Sequence, residues 1–107
     1  MNIGNLYTVN LFYWLLFPTK EASDAAFALV ATTASATTAS ATTASASAAY
    51  WSKQYNCEVT YFSPDSYIVF LEEDGNFKKV LTSDGRIGWT WFDEHYNDCF
   101  EEVKVAV

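Results

Sequence analysis

The chain is short of the groups that most site chemistry needs. Among its 107 residues there is one histidine, His95, and there are two cysteines, Cys57 and Cys99. A lone histidine excludes the His-x-x-x-His zinc helix, which needs two imidazoles one turn apart. Two cysteines do not make a disulfide framework. They are expected as ordinary thiols, since a small unpaired cysteine is commonly buried. A bridge between them is the alternative, because they flank the two ends of one segment. Positive charge is also scarce, with six Lys and Arg against 13 Asp and Glu and a net charge of −7. Met1 to Asn56 balances Glu21 and Asp24 against Lys20 and Lys53, whereas Cys57 to Val107 holds eleven acids and four bases. Such a surface repels phosphate, so neither nucleic acid nor an anionic membrane is an expected partner. The plain reading is a solvated acidic face. The sharper reading is a face that docks a basic partner or mimics a nucleic acid.

Long apolar runs are missing as well. The longest near the N-terminus, Leu11 to Phe17, has seven residues. No base precedes it, and Pro18 and Lys20 follow, which does not fit a secretory leader. A membrane span needs about 20 apolar residues, and Lys20, Glu21 and Asp24 interrupt any such window. The expectation is a soluble protein without a processed leader.

What the chain has in quantity is aromatic surface, 18% of residues within a hydrophobic fraction of 50%. Each large ring buries roughly 150–250 Å², so one small domain spanning 1–107 can fold without metal or disulfide. Three segments divide it. In 1–18, Leu6 to Phe17 is dense in β-formers and reads as one strand or two short ones, ended by Pro18.

In 19–55, Thr19 can cap a helix, and Glu21 and Asp24 suit its first turn. Ala22, Ala25, Ala26, Leu29 and Val30 recur at helical spacing. Ala-Thr-Thr-Ala-Ser then begins at Ala31 and repeats at Ala36 and Ala41. A five-residue period advances about 140° beyond a full turn of α-helix, so it builds no continuous apolar stripe. The segment is expected as an Ala/Thr/Ser-rich helical insertion, with a hairpin or a flexible linker as alternatives. A single helix over 19–55 would run about 55 Å. It would project from a small domain and favour self-association.

In 56–107, short strands alternate with turn signals. Glu58 to Phe62, Tyr67 to Leu71, Phe77 to Thr82, Ile87 to Trp91 and Glu101 to Val105 read as strands. Ser63-Pro64-Asp65-Ser66, Asp74-Gly75-Asn76 and Ser83-Asp84-Gly85 read as turns, and Phe92 to Cys99 suits a short 3₁₀ turn. The fold class is therefore mainly β with an inserted helix, α+β.

The residues Tyr67-Ile-Val-Phe-Leu-Glu-Glu-Asp-Gly-Asn-Phe-Lys-Lys-Val-Leu, Asp84-Gly-Arg-Ile-Gly-Trp and Phe100-Glu-Glu-Val resemble an SH3 domain of the small bacterial or phage type. The order is a hydrophobic strand ending in acids, a turn, an aromatic opening the next strand, a hairpin, a glycine before a hydrophobe, a 3₁₀ turn and a closing strand. The resemblance implies an SH3-like barrel of five to six strands. Leu6-Tyr7 would open its first strand, 19–55 would be an insertion in its first long loop, and Gly88 would allow a close strand crossing. It also implies an aromatic groove for proline-rich peptides. Phe77 stands where the family has a groove Trp, Val9 where it has a second Tyr, and Trp91 with Tyr96, at altered spacing, where it has Pro and Tyr. Tyr7, Phe77, Trp91 and Tyr96 are the candidate groove residues.

Other clusters carry less. Asp93, Glu94, His95, Asp98 and Cys99 are expected as a solvated acidic turn rather than a metal site. Glu72-Glu73-Asp74 is expected as a solvated turn, with docking of a basic partner as the sharper reading. Cys99 with His95 lacks the signature of a nucleophile pair. No catalytic residue, metal or cofactor is expected, and the chain is read as a non-enzyme. Trp89 and Trp91, two apart on one strand face, and Trp51 are candidate interface residues. The leading expectation is a structural or protein-interaction module that self-associates through its Ala-rich helix. A peptide-binding adaptor and an acidic decoy for a nucleic-acid-binding protein are the alternatives.

Overall fold

A computed structural model of the chain describes residues 2–29 and 37–104. It is an α+β domain, as the strand and turn signals predict, with a five-stranded antiparallel sheet and a smaller three-stranded one. The strands are β1 (Leu6–Val9), β2 (Tyr13–Leu16), β3 (Thr37–Thr38), β4 (Thr60–Phe62), β5 (Tyr67–Asp74), β6 (Phe77–Thr82), β7 (Ile87–Trp91) and β8 (Phe100–Glu102). The helices are α1 (Lys20–Leu29) and α2 (Ala41–Tyr55), with a 3₁₀ helix at Glu94–Cys99. The large sheet has the order β7-β6-β5-β1-β8, and the small one β3-β2-β4. No ladder joins β7 to β8 among the described residues.

The β5–β6–β7 meander follows its turn chemistry. Gly75 (φ +60°) and Gly85 (φ +87°) hold left-handed conformations that side chains disfavour. At the second turn the Thr82 hydroxyl donates to the Asp84 carboxylate and accepts from the Arg86 N–H at 3.1 Å. A register shift between Phe70 and Glu72 bends β5. The 3₁₀ helix opens on Asp93, whose carboxylate accepts from the His95 N–H at 3.0 Å.

The first segment is two strands, and β2 connects the two cores. Its buried residues alternate between them. Trp14 and Leu16 join Tyr7, Val9, Phe62, Ile68, Phe70, Val80, Phe92 and Phe100 in the first core. Leu15 and Phe17 join Ala26, Ala48, Trp51, Val59 and Trp91 in the second. Just past β2, Phe17 exchanges both backbone hydrogen bonds with Trp89 at 2.7 Å. That bridge fastens the small sheet to β7. Gly88 permits the approach: a Cβ there would lie 2.7 Å from the Phe17 carbonyl oxygen and 2.7 Å from Leu16 Cγ.

The insertion is not one projecting helix. It forms α1, β3 and α2, and both helices fold back onto strands. Residues 30–36, which hold the first copy of the repeat and Ala36, lie outside the described residues. The described part takes two conformations from one pentad. Ala-Thr-Thr-Ala-Ser at 36–40 places Thr37–Thr38 in β3, paired with Trp14 and Tyr13. The same pentad at 41–45 opens α2. Ser40 ends the first copy and caps the second, its hydroxyl accepting from the Thr43 N–H at 3.2 Å. That cap starts a new helix rather than continuing an old one. Threonine tolerates either conformation, so the neighbouring strand decides. At the other end Asn56 adopts φ 49° and closes α2 on the Ser52 carbonyl.

Candidate interaction surfaces

The aromatic residues nominated for a groove are divided between the two cores. Tyr7 lies in the first core, its hydroxyl accepting from the Asn2 N–H at 2.6 Å. Tyr96, half-buried, packs edge-on to Trp14 at 5.8 Å and to Phe12 at 6.4 Å. Phe77 and Trp91 belong to the second core, under α1. Phe27 of α1 stands edge-on to both rings, at 5.7 Å and 5.9 Å. Lys20 at the start of α1 pairs with Asp74 and lies 5.9 Å from the centre of the Phe77 ring. The interface candidates are buried within this chain. Trp89 and Trp51 are each 8% exposed and Trp91 is 2% exposed. Trp89 is bridged to Phe17, and Trp51 stacks on Tyr55 at 5.6 Å.

The other clusters keep their groups apart or occupied. No group of three or more His, Cys, Asp or Glu could hold a metal among the described residues. Cys99 is buried in the first core and Cys57 half-buried against the second, and both are thiols. Burial raises both thiol pKa values, with Asp98 adding to the effect at Cys99, so neither is an activated nucleophile. Glu73 lies 3.6 Å from the buried Lys78 amine, which donates to the Gly75 carbonyl at 2.7 Å. The Asp84 carboxyl is held below the ordinary aspartate range, first by the Thr82 hydroxyl and then by Arg86.

A groove of about 760 Å³ runs between α2, β4 and the β6–β7 turn. Hydroxyl-bearing residues dominate its lining, and those of Ser52, Ser66 and Thr82 are engaged. Ser52 accepts from the Val59 N–H at 2.8 Å, and Ser66 donates to the Ser63 carbonyl at 2.6 Å. Arg86 donates from Nη2 to the Tyr61 carbonyl at 3.0 Å and sets Nε 2.8 Å from Asp84 Oδ2. The groove therefore presents hydrogen-bonding groups from α2, β4 and the β6–β7 turn.

The outer face of the large sheet is different. Leu6 pairs with Val69, Val69 with Leu81, and Leu81 with Ile87. Beyond β8, Val103 donates its N–H to the Leu6 carbonyl at 2.9 Å. One aliphatic residue per strand therefore stands in register across all five strand paths. Leu6 is 38% and Ile87 56% exposed, and the three between and beside them are half-buried. At about 4.8 Å per strand, the row is about 19 Å long. At its β7 end a pocket of about 180 Å³ opens between Leu16, Phe17, Pro18 and Ile87, with Glu58 and Arg86 on its rim. Single exposed aliphatics are ordinary, but a row in register replaces the polar outward face that an antiparallel sheet normally turns to water. The sequence reading missed it. Its only trace is the aliphatic at every second position of each strand, which names a face without saying what covers it.

Compared with known proteins, the chain matches no family model, no curated protein and no solved structure. No helix among the described residues is long and apolar enough to cross a membrane.

Proposed function

We propose that this chain is a non-catalytic protein-interaction module built on an SH3-like framework, with the outer face of its large sheet as the working surface. The framework reading is supported by the chain order: a first strand, a long insertion, a three-strand meander, a 3₁₀ turn and a short closing strand. The close approach at Gly88 fits it as well. The observation that carries the function is the aliphatic row Ile87–Leu81–Val69–Leu6–Val103. Burial of apolar surface drives most association; α1 packs against Phe77 and Trp91 through Phe27, while Leu6 and Ile87 at opposite parts of the row stay exposed.

That placement weighs against the proline-reading adaptor, whose aromatic surface is filled by Phe27 and Lys20. It also weighs against the acidic decoy, because Asp74, Glu73 and Asp84 are matched to Lys20, Lys78 and Arg86. Self-association through α2 loses the face carrying Ala44, Ala48 and Trp51, which is buried within the chain.

A photo-crosslinking residue placed at Leu81, in the chain expressed in the cells of its source, tests the reading. The control carries it at Tyr50, exposed on α2 and away from the sheet. Discrete protein adducts at position 81 that disappear on Val69→Asn, and are absent at position 50, are the expected result. Equal adducts at the two positions, or none at 81, refute it.

A further inference from the structure

We propose that Asp74 is a site of spontaneous backbone modification. Its side chain closes on the Gly75 nitrogen and reopens as an isoaspartyl linkage, while the fold holds the equivalent pair Asp84-Gly85 unreactive.

The chain has two Asp-Gly pairs, Asp74-Gly75 and Asp84-Gly85, and no Asn-Gly pair. Each lies at a tight turn of the β5–β6–β7 meander. Glycine is the successor that favours the reaction, because it has no Cβ to shield its nitrogen and its backbone rotates with little hindrance. The step needs no co-reactant beyond water. The Gly75 nitrogen attacks Asp74 Cγ. A C–N bond forms, the Cγ–OH bond breaks, and the amide proton leaves with the hydroxyl as water. The product is a succinimide ring. Water then adds to the ring's main-chain carbonyl and breaks the bond from that carbonyl to nitrogen. The chain now runs through Cγ, and the former main-chain carbonyl is a carboxylate. Nothing is oxidised or reduced.

The two turns differ in how firmly the reacting groups are held. At the β6–β7 turn both are tied. The Asp84 carboxylate accepts from the Thr82 hydroxyl, and its Oδ2 lies 2.8 Å from Arg86 Nε. The Gly85 N–H donates to the Thr82 carbonyl at 3.0 Å. The Thr82 hydroxyl first, and then Arg86, keep the Asp84 carboxyl below the ordinary aspartate range, and an ionised carboxylate is a poor electrophile. At the β5–β6 turn the hold is weaker. The Asp74 side chain is 60% exposed and pairs with Lys20, itself 40% exposed. An exposed ion pair is worth at most about 1 kcal/mol, so the carboxyl leaves it readily. The Gly75 N–H has no acceptor among the described residues. The Lys78 amine holds the Gly75 carbonyl at 2.7 Å, which does not engage the attacking nitrogen. Exposure does not separate the two sites, since the Asp84 side chain is 58% exposed. The hydrogen bonds do.

The consequence reaches α1. Isomerisation lengthens the main chain by one carbon where Asp74 pairs with Phe77, and it moves the carboxylate that Lys20 meets. Lys20 begins α1 and lies 5.9 Å from the centre of the Phe77 ring. The modified chain loses that anchor at the hairpin tip.

The test is incubation of the full chain at mildly acidic pH, once folded and once in urea. Proteolysis and electron-transfer mass spectrometry then separate isoaspartyl from aspartyl peptides at each site. In the folded chain isoaspartate should accumulate at Asp74 at least fivefold faster than at Asp84. In urea the two sites should differ by less than twofold, because the fold is what separates them. Thr82→Val should raise the folded-state rate at Asp84 by threefold or more, and Gly75→Ala should suppress the reaction at Asp74. In the modified fraction the Lys20 and Phe77 amide resonances should shift, while those of Thr82 and Arg86 stay in place. Equal rates at the two sites in the folded chain overturn the inference. So does a folded chain that is silent at Asp74 yet reacts there in urea. The same ratio of the two rates in urea as in the folded chain also overturns it, since that would trace the preference to sequence alone.

Discussion

Gly88→Ala is the sharpest test of how the insertion is attached. The new methyl would lie 2.7 Å from the Phe17 carbonyl oxygen, 2.7 Å from Leu16 Cγ and 2.9 Å from Leu16 Cδ1. A leucine tip can turn aside, but a backbone oxygen in a two-bond bridge cannot move without breaking the bridge. Overpacking of this kind costs about 1–3 kcal/mol, and each lost backbone hydrogen bond adds about 1 kcal/mol. Gly88 is not in the left-handed region, so alanine brings no backbone strain. It recovers about 0.4–1 kcal/mol by restricting the unfolded chain. The net expectation, with both bridge bonds lost, is a loss of about 2–4.5 kcal/mol. For a domain near this size that lowers Tm by about 10–35 °C. Urea unfolding followed by tryptophan fluorescence measures it. Gly75→Ala is the control: nothing lies within 4 Å of its Cβ, and only the φ of +60° counts against it, for about 1–2 kcal/mol. A Gly88→Ala loss below about 0.5 kcal/mol would refute the close-approach argument, for it lies under the smallest overpacking term. Complete rescue by Leu16→Ala would refute it too, because that change relieves the side chain and leaves the carbonyl in place.

Three further outcomes follow from single contacts. Phe27→Ala removes the half-buried ring set against Phe77 and Trp91. It should cost about 2 kcal/mol, below the 3–5 of a fully buried ring, and should change the tryptophan near-UV circular dichroism. Ser40→Ala removes the α2 cap and should cost about 1 kcal/mol in urea unfolding, while Ser40→Gly should cost only a few tenths. Asp84 has a folded-state pKa below its ordinary value of 3.8, so its contribution is fully present above that value and is lost as pH falls through the folded one. The stability difference between the wild type and Asp84→Asn should therefore narrow only below about pH 4. Thr82→Val should raise the Asp84 midpoint in a carboxyl NMR titration, because the first cause of the depression is the Thr82 hydroxyl.

Local signals in the sequence were read well where the chemistry is local. Gly75 and Gly85 turn the chain where Asp-Gly and Ser-Asp-Gly predict, and the 3₁₀ turn falls within Phe92 to Cys99 at Glu94–Cys99. Strand ends were less legible. The first strand of 56–107 is Thr60–Phe62 rather than Glu58 to Phe62, and the last is Phe100–Glu102 rather than Glu101 to Val105. The pentad repeat defeats local reading altogether, because its Thr-Thr pair is strand-paired at Thr37–Thr38 and helical at Thr42–Thr43. What differs is the partner: β2 hydrogen-bonds the first copy, and Ser40 caps the second.

The same limit holds for the faces of β6 and β7. Trp89 and Trp91 share the outer face of β7, as their spacing requires, but spacing does not say that Phe17 and α1 will cover that face. Phe77 sits across from Trp91 in the β6–β7 ladder and is covered with it. Further along the same two strands, Leu81 and Ile87 share that face, Leu81 half-buried and Ile87 56% exposed. The insertion therefore divides one sheet face in two. Where it lands, large rings are buried and stabilise the fold. Away from α1 the face carries smaller aliphatics, of which Leu6 and Ile87 are exposed, and exposed aliphatics lose less to water than exposed tryptophans would. Val69 and Leu81 are half-buried in the middle of the row, and Leu6 and Ile87 are exposed. Aliphatics at all four positions fit the docking surface proposed above.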